Sequence, residues 1–126
     1  PNSIRHVIGV AKAYETYVGT KKFQPEKEVF NAIQEVGQEF GATTGRKRQC
    51  NWMNLPNLEK VVKMNGVTNL IFNKMDILEA VGSWSVYVDQ GRNNLFTFQN
   101  KNQFCDYIRS YFENIDVVFS SSPERV

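Results

Sequence analysis

The chain has 126 residues, enough for one domain with a real core, and 41% apolar against 22% charged residues excludes wholesale disorder. A net charge of +2 is too small to mark a nucleic-acid binder, and no apolar run reaches the length of a membrane-spanning helix. The opening "PNSIRHVIGVAK" lacks a secretory pattern, which points to a cytoplasmic protein. Cys50 and Cys105 lie far apart without metal-type spacing, so both read as buried or half-buried free thiols.

In chain order, "RHVIGVAKAY" is apolar enough for one buried strand, although Gly9 and its alanines weaken the pattern. "VGTKKFQPEKEV" reads as a loop and a helix start, with Pro25 in the first turn and acidic residues after it. Phe30, Ile33 and Val36 then share a helical face that ends near Gly37. After the polar loop "GATTGRKRQ", "NLPNLEKVVKMNG" predicts a second helix with Pro56 near its start and Gly66 at its close. "VTNLIF" is β-branched and apolar, a buried strand that runs into "NKMD". "SWSVYVD" and "LFTF" flank "QGRNN" as a hairpin. "NQFCDYIRSYFENI" puts Phe104, Tyr107, Ile108, Tyr111 and Phe112 on one side of a helix, and "DVVF" is a last strand before "SSSPER".

The resulting order is strand, helix, helix, strand, hairpin, helix, strand. It predicts one α/β domain over residues 1–126, with a mixed, partly antiparallel sheet and flanking helices. The chain lacks an initiating Met and starts and stops close to strand-like segments. It therefore reads as part of a longer polypeptide.

Three polar loops, "GATTGRKR", "NKMD" and "SSSPER", follow strands or helices, and ligands of open α/β sheets gather at the carboxyl ends of strands. An aspartate just beyond a buried strand can accept hydrogen bonds from both N1–H and the exocyclic amine of guanine, a donor pair that adenine lacks. Lys74 can lay its aliphatic stem along a base while its ammonium stays wet. The plainer reading of "NKMD" is an exposed turn whose Asp76 caps the helix "ILEAV". In "GATTGRKR", the Thr43 and Thr44 hydroxyls, bare glycine backbone and the Arg46 and Arg48 guanidinium groups suit an anionic ligand. A solvated basic turn and a contact to a nucleic-acid backbone compete, but no further basic stripe or stacking aromatic supports the latter. No G-x-x-x-x-G-K-S/T phosphate cradle or metal-ligand cluster is present, and the lone histidine, His6, reads as a core or edge residue.

"VIGVAKAYETYVGTKKF", "EFGATTGRKRQCNW", "VTNLIFNKMDIL" and "SSSPER" occur in the order and approximate spacing of the C-terminal part of the adenylosuccinate synthetase family. The resemblance covers most of the chain and weakens between Ser83 and Asp116. It implies the C-terminal part of a larger GTP-dependent ligase fold. The family phosphorylates the 6-oxygen of IMP with GTP, lets the amino group of L-aspartate displace that phosphate, and uses Mg²⁺. By this resemblance Val18, Gly19, Thr43, Thr44, Gly45, Arg46 and Arg48 fall on aspartate- and IMP-binding segments. Arg48, Lys74, Met75, Asp76, Ser120, Ser121 and Ser122 fall on the GTP side. The catalytic aspartate and histidine, the phosphate loop and the Mg²⁺ ligands of the family have no counterpart here, so the chain alone is expected to be inactive. A homodimeric parent, with neither nucleic acid nor membrane as partner, is also implied.

Tyr17 stands where the family usually has arginine, and Ser122 where it usually has glycine. The short stretch after "SWSVYVD" resembles archaeal and phage-encoded forms, some of which act on dGMP instead of IMP. Asp76 favours guanine in the donor nucleotide and argues against the relatives that use an adenine nucleotide. A stand-alone guanine-nucleotide-binding or regulatory module is the competing functional class.

Overall fold

The computed structural model describes residues 6–39 and 48–120. They form, in order, β1 (Ile8–Lys12), β2 (Tyr14–Tyr17), α1 (Glu28–Gly37), β3 (Gln49–Asn54), α2 (Leu55–Asn65), β4 (Asn69–Asn73), α3 (Met75–Val81), β5 (Trp84–Tyr87), β6 (Leu95–Phe98), α4 (Lys101–Tyr111) and β7 (Asp116–Phe119). The α/β class with mixed pairing is as expected, but the strands divide into two sheets. One is wholly parallel, in the order β1-β4-β7. The other runs β2-β3-β5-β6, antiparallel at both ends and parallel between β3 and β5.

The expected single strand over "RHVIGVAKAY" is broken at Ala13, where the chain leaves the parallel sheet for the mixed one. Ala13 is fully buried, and its N–H donates to Asn73 O at 3.0 Å, so the switch is anchored to the end of β4. Pro25 does not open α1. The helix begins at Glu28 behind an extended Lys27, whose N–H donates to the Pro25 carbonyl at 2.9 Å.

Helix α2 follows its sequence signals closely. Asn54 caps it by accepting from Asn57 N–H at 3.2 Å, Pro56 sits in the first turn, and Gly66 closes it at φ +63°. The left-handed conformation at that last position suits glycine because a Cβ would be strained there. Asn100 caps α4 in the same way, accepting from Gln103 N–H at 2.9 Å.

The core joins these elements through aromatic and aliphatic side chains. Phe30 of α1 packs on Trp52 of β3, with ring centroids 5.1 Å apart. Phe104 of α4 meets Trp84 at 5.1 Å and Phe98 at 5.7 Å, which seats α4 on the β5–β6 hairpin. Each such pair adds roughly 0.5–1.5 kcal/mol beyond simple burial. Ile33, Leu78, Met75 and Phe72 are fully buried and carry the core toward the carboxyl end of the parallel sheet. Both cysteines are free and buried, as expected.

Candidate functional site

The parallel strands β1, β4 and β7 end at Lys12, Asn73 and Phe119, side by side. Backbone bonds hold these ends in register: Ala13 N–H reaches Asn73 O, and Ser120 N–H donates to Phe72 O at 2.7 Å. Phe119 stacks on Phe72 at 5.4 Å and carries the Arg109 guanidinium 4.9 Å from its ring centroid. Ser120, the first residue of "SSSPER", is thereby placed beside "NKMD".

The tetrapeptide itself makes a sharp bend. Lys74 takes a left-handed conformation at φ 64°, and Met75, fully buried, pins the start of α3. Asp76 does not cap this helix, because Lys74 occupies the cap position and no side chain bonds there. Its carboxylate instead lies in the first turn, with Oδ1 buried and without a hydrogen-bond partner. Asn73 Oδ1 is buried and unpartnered as well. Buried acceptors are nearly always satisfied in folded proteins, and leaving one bare costs about 1–3 kcal/mol. Two such oxygens lie within four residues, at the carboxyl end of a parallel sheet, where α/β folds place ligands.

A second cluster borders the first. Glu39, only 2% exposed, accepts from Tyr14 Oη at 2.5 Å and from Arg48 Nη1 at 3.2 Å, with Lys12 Nζ 3.7 Å away. Burial, then the hydrogen bond and charge of Glu39, with smaller contributions from Cys50 and Asp76, raise the Tyr14 pKa far above the ordinary phenol value. Tyr14 is therefore a fixed proton donor to Glu39. Lys12 links the two clusters, paired with Asn73 in the sheet register and 3.7 Å from the Glu39 carboxylate.

Arg48 leads into β3 next to Gln49, whose carboxamide uses all of its hydrogen-bonding capacity on one loop. Its Oε1 accepts from Phe23 N–H at 2.7 Å and Gln24 N–H at 2.9 Å, and its Nε2 donates to Lys21 O at 2.8 Å and Gly19 O at 3.3 Å. This ties Gly19 to the start of β3. Val18 beside it is exposed. Tyr17 packs on Phe23 at 5.3 Å, and its ring end lies over Gly19, where a Cβ would fall 2.3 Å from Tyr17 Oη. A cleft of about 400 Å³ opens beside Tyr17, Phe23, Lys12, Leu58 and Val61.

The structure thus brings Asn73, Lys74, Met75, Asp76 and Ser120 to one sheet end, with Arg48 reaching it through Glu39. Val18 and Gly19 lie at the far end of β2, joined to Arg48 by Gln49. Thr43, Thr44, Gly45, Arg46, Ser121 and Ser122 lie outside the described residues. Reading the sequence missed Lys12, Tyr14 and Glu39. Their positions held a signal: Lys12 ends a strand, and Glu39 stands just before "FGATTG". Among the described residues no group of three or more His, Cys, Asp or Glu side chains could hold a metal ion. Nor is any helix there long and apolar enough to cross a membrane.

The family model described as adenylosuccinate synthetase matches residues 1–116. The adenylosuccinate synthetase of Chlorobaculum tepidum is 37% identical over 120 residues, covering 91% of this chain and 27% of the relative. That of Meyerozyma guilliermondii is 37% identical over 120 residues, covering 94% and 26%. That of Desulfatibacillum aliphaticivorans is 43% identical over 88 residues, covering 68% and 20%. The chain therefore spans about a fifth to a quarter of the length of these curated relatives. The structure of fully ligated adenylosuccinate synthetase from Plasmodium falciparum shares the fold at TM-score 0.74 and 20% identity, over 95% of this chain and 38% of that one. With a family model matched along nearly its whole length, the chain belongs to the adenylosuccinate synthetase family.

Proposed function

We propose that this chain is the guanine-selecting and aspartate-clamping part of a ligase that joins IMP and L-aspartate at the expense of GTP, giving adenylosuccinate, GDP and phosphate. The observation that carries this reading is the pair of buried, unpartnered acceptors, Asp76 Oδ1 and Asn73 Oδ1, at the carboxyl end of the parallel sheet. Guanine offers a charged or polar acceptor the N1–H and an exocyclic amine on one edge, whereas adenine presents a bare ring nitrogen there. Asp76 is the acceptor for that edge, Lys74 covers the base with its stem, and Ser120 with Ser121 and Ser122 walls the pocket.

Arg48 and Arg46, with Thr43, Thr44 and Gly45, hold the carboxylates of aspartate. Arg48, already balanced by Glu39, also reaches the nucleotide. Val18 and Gly19 serve the IMP side. Phosphoryl transfer depends on alignment and charge neutralisation, and the family's catalytic aspartate and histidine and its phosphate loop have no counterpart in this sequence. We accordingly assign substrate holding to this chain and the transfer chemistry, with its Mg²⁺, to residues beyond it. The isolated chain then turns over no IMP, GTP and aspartate.

Competition among GDP, IDP and ADP tests the base assignment. Hypoxanthine keeps N1–H and loses the amine, so affinity should fall in the order GDP, IDP, ADP, with at least about tenfold between the first and last. Equal affinity for GDP and ADP would refute guanine selection.

A further inference from the structure

β6 is the last strand of the mixed sheet, paired with β5 on one side and with no strand of the described residues on the other. The direction of its main-chain groups follows from the ladder. Val88 N–H donates to Asn94 O at 3.0 Å, which makes these two a hydrogen-bonded pair. Such pairs alternate along antiparallel strands, and the register sets Val86 opposite Phe96 and Trp84 opposite Phe98. The main chains of Phe96 and Phe98 therefore face β5. Those of Leu95 and Thr97 face outward, each presenting an N–H and a C=O along the edge.

An open edge is a template for another strand, and proteins usually guard it with charge or proline. The three other edge strands follow that rule: β1 ends on Lys12, β2 carries Glu15 and β7 opens on Asp116. From Asn93 to Asn100, "NNLFTFQN" contains neither a charged residue nor a proline. The side chains add to the attraction. Phe96 leans on Phe98 and Tyr107, with ring centroids 5.1 and 5.2 Å away, yet stays 46% exposed, and Leu95 is 43% exposed.

We propose that β6 pairs antiparallel with β6 of a second copy of this chain, joining two four-stranded mixed sheets into one continuous sheet. A two-fold axis through the edge restricts the register, because side chains keep their face and bonds form between outward-facing groups alone. Two alignments meet both conditions. One sets Thr97 opposite its own copy and Leu95 opposite Gln99, whose N–H is already given to Gln103 Oε1 at 3.0 Å. The other sets Phe96 opposite its own copy and Leu95 opposite Thr97, twice. It uses every outward N–H and C=O of β6 and places the exposed Phe96 rings against each other on the axis, so it is the register assigned. The absence of charge suits a like-to-like contact, and a two-fold pairing closes, consuming both edges. The hairpin lies in the stretch where the likeness to the family weakens, so the contact belongs to this chain.

Size-exclusion chromatography with light scattering, across a dilution series of the 126-residue chain, reads the outcome. A dimer that dissociates on dilution is expected. Thr97→Pro removes an outward N–H that β5 does not use, a place where sheets tolerate proline, and should weaken the dimer at least about tenfold. Phe96→Lys and Phe96→Glu each set like charges face to face and should be monomeric alone, while their equimolar mixture should recover the dimer. Val118→Lys, on an edge strand of the other sheet, should dimerise as the parent chain does. Circular dichroism checks that each variant keeps its fold. A chain that is monomeric at every concentration, or a dimer indifferent to Thr97→Pro and to both charges, overturns the proposal. A mixture of the Lys and Glu variants that stays monomeric overturns it too, as do open-ended assemblies in place of a dimer.

Discussion

Glu39 and Arg48 are joined twice. The Arg48 N–H donates to the Glu39 carbonyl at 2.8 Å, and its Nη1 donates to the Glu39 carboxylate at 3.2 Å. The two residues flank the 40–47 segment, so the described chain on either side of it is held together. Gln34 strengthens the joint, its Nε2 donating to Arg48 O at 2.7 Å. A buried carboxylate would be costly unpaired. Here Tyr14, Arg48 and Lys12 surround it.

The Tyr14–Glu39 hydrogen bond is expected to stabilise the fold measurably. Tyr14→Phe should cost about 1.5–3 kcal/mol, the usual range for a buried bond to a charged group. In a double-mutant cycle with Glu39→Gln, urea denaturation should return a coupling of about 1–3 kcal/mol. Additive effects would mean that Tyr14 and Glu39 act independently.

Gln49 should control the loop before α1. Gln49→Leu removes the acceptor of the Phe23 and Gln24 amides and the donor to Lys21 and Gly19. Hydrogen exchange at the Phe23 and Gln24 amides should then accelerate at least about tenfold, as local opening loses its opposing bonds, while the amides of α4 keep their rates. Unchanged exchange at Phe23 and Gln24 would contradict this bracing role.

Alkaline pH should weaken the fold through Cys50. Burial, then the Glu39 charge, pushes its thiol up to about 12 from an ordinary value near 9.0. Below the lower value both folded and unfolded thiols keep their proton, so no stability changes. Between pH 9 and 12 only the unfolded chain ionises, it binds fewer protons than the folded one, and stability falls as pH rises. Cys50→Ala should flatten that decline in a pH series of thermal melts. The native thiol should also resist iodoacetamide at pH 8.

Much of this arrangement was legible in the sequence because local signals agreed with the packing. Pro56 and Gly66 bound α2, β-branched residues marked β4, and the amphipathic spacing of Phe104 and Ile108 marked α4. β3 was missed because "QCNWMN" neither alternates nor looks apolar. Its Asn51 and Asn54 are buried through hydrogen bonds to Phe23 O and Gln90 O, partners that only the folded chain supplies. α3 is absent from the predicted element order, although the plainer reading of "NKMD" set a helix at "ILEAV", because a seven-residue helix directly after a bend is a weak signal by itself. The motif "NKMD" pointed to Asp76, yet the bare state of its Oδ1 and of Asn73 Oδ1 required coordinates. Glu39 opens the segment "EFGATTGRKRQCNW", yet its pairing with Tyr14, Arg48 and Lys12 required coordinates.

Isothermal titration of the chain with GDP, repeated with Asp76→Ala, tests the central claim most directly. If Asp76 receives the guanine edge, the substitution should weaken GDP binding at least about tenfold, the equivalent of one charge-assisted hydrogen bond. ADP should bind weakly and equally to both proteins. GDP binding of equal strength with and without the Asp76 carboxylate would contradict the assignment of this sheet end to guanine.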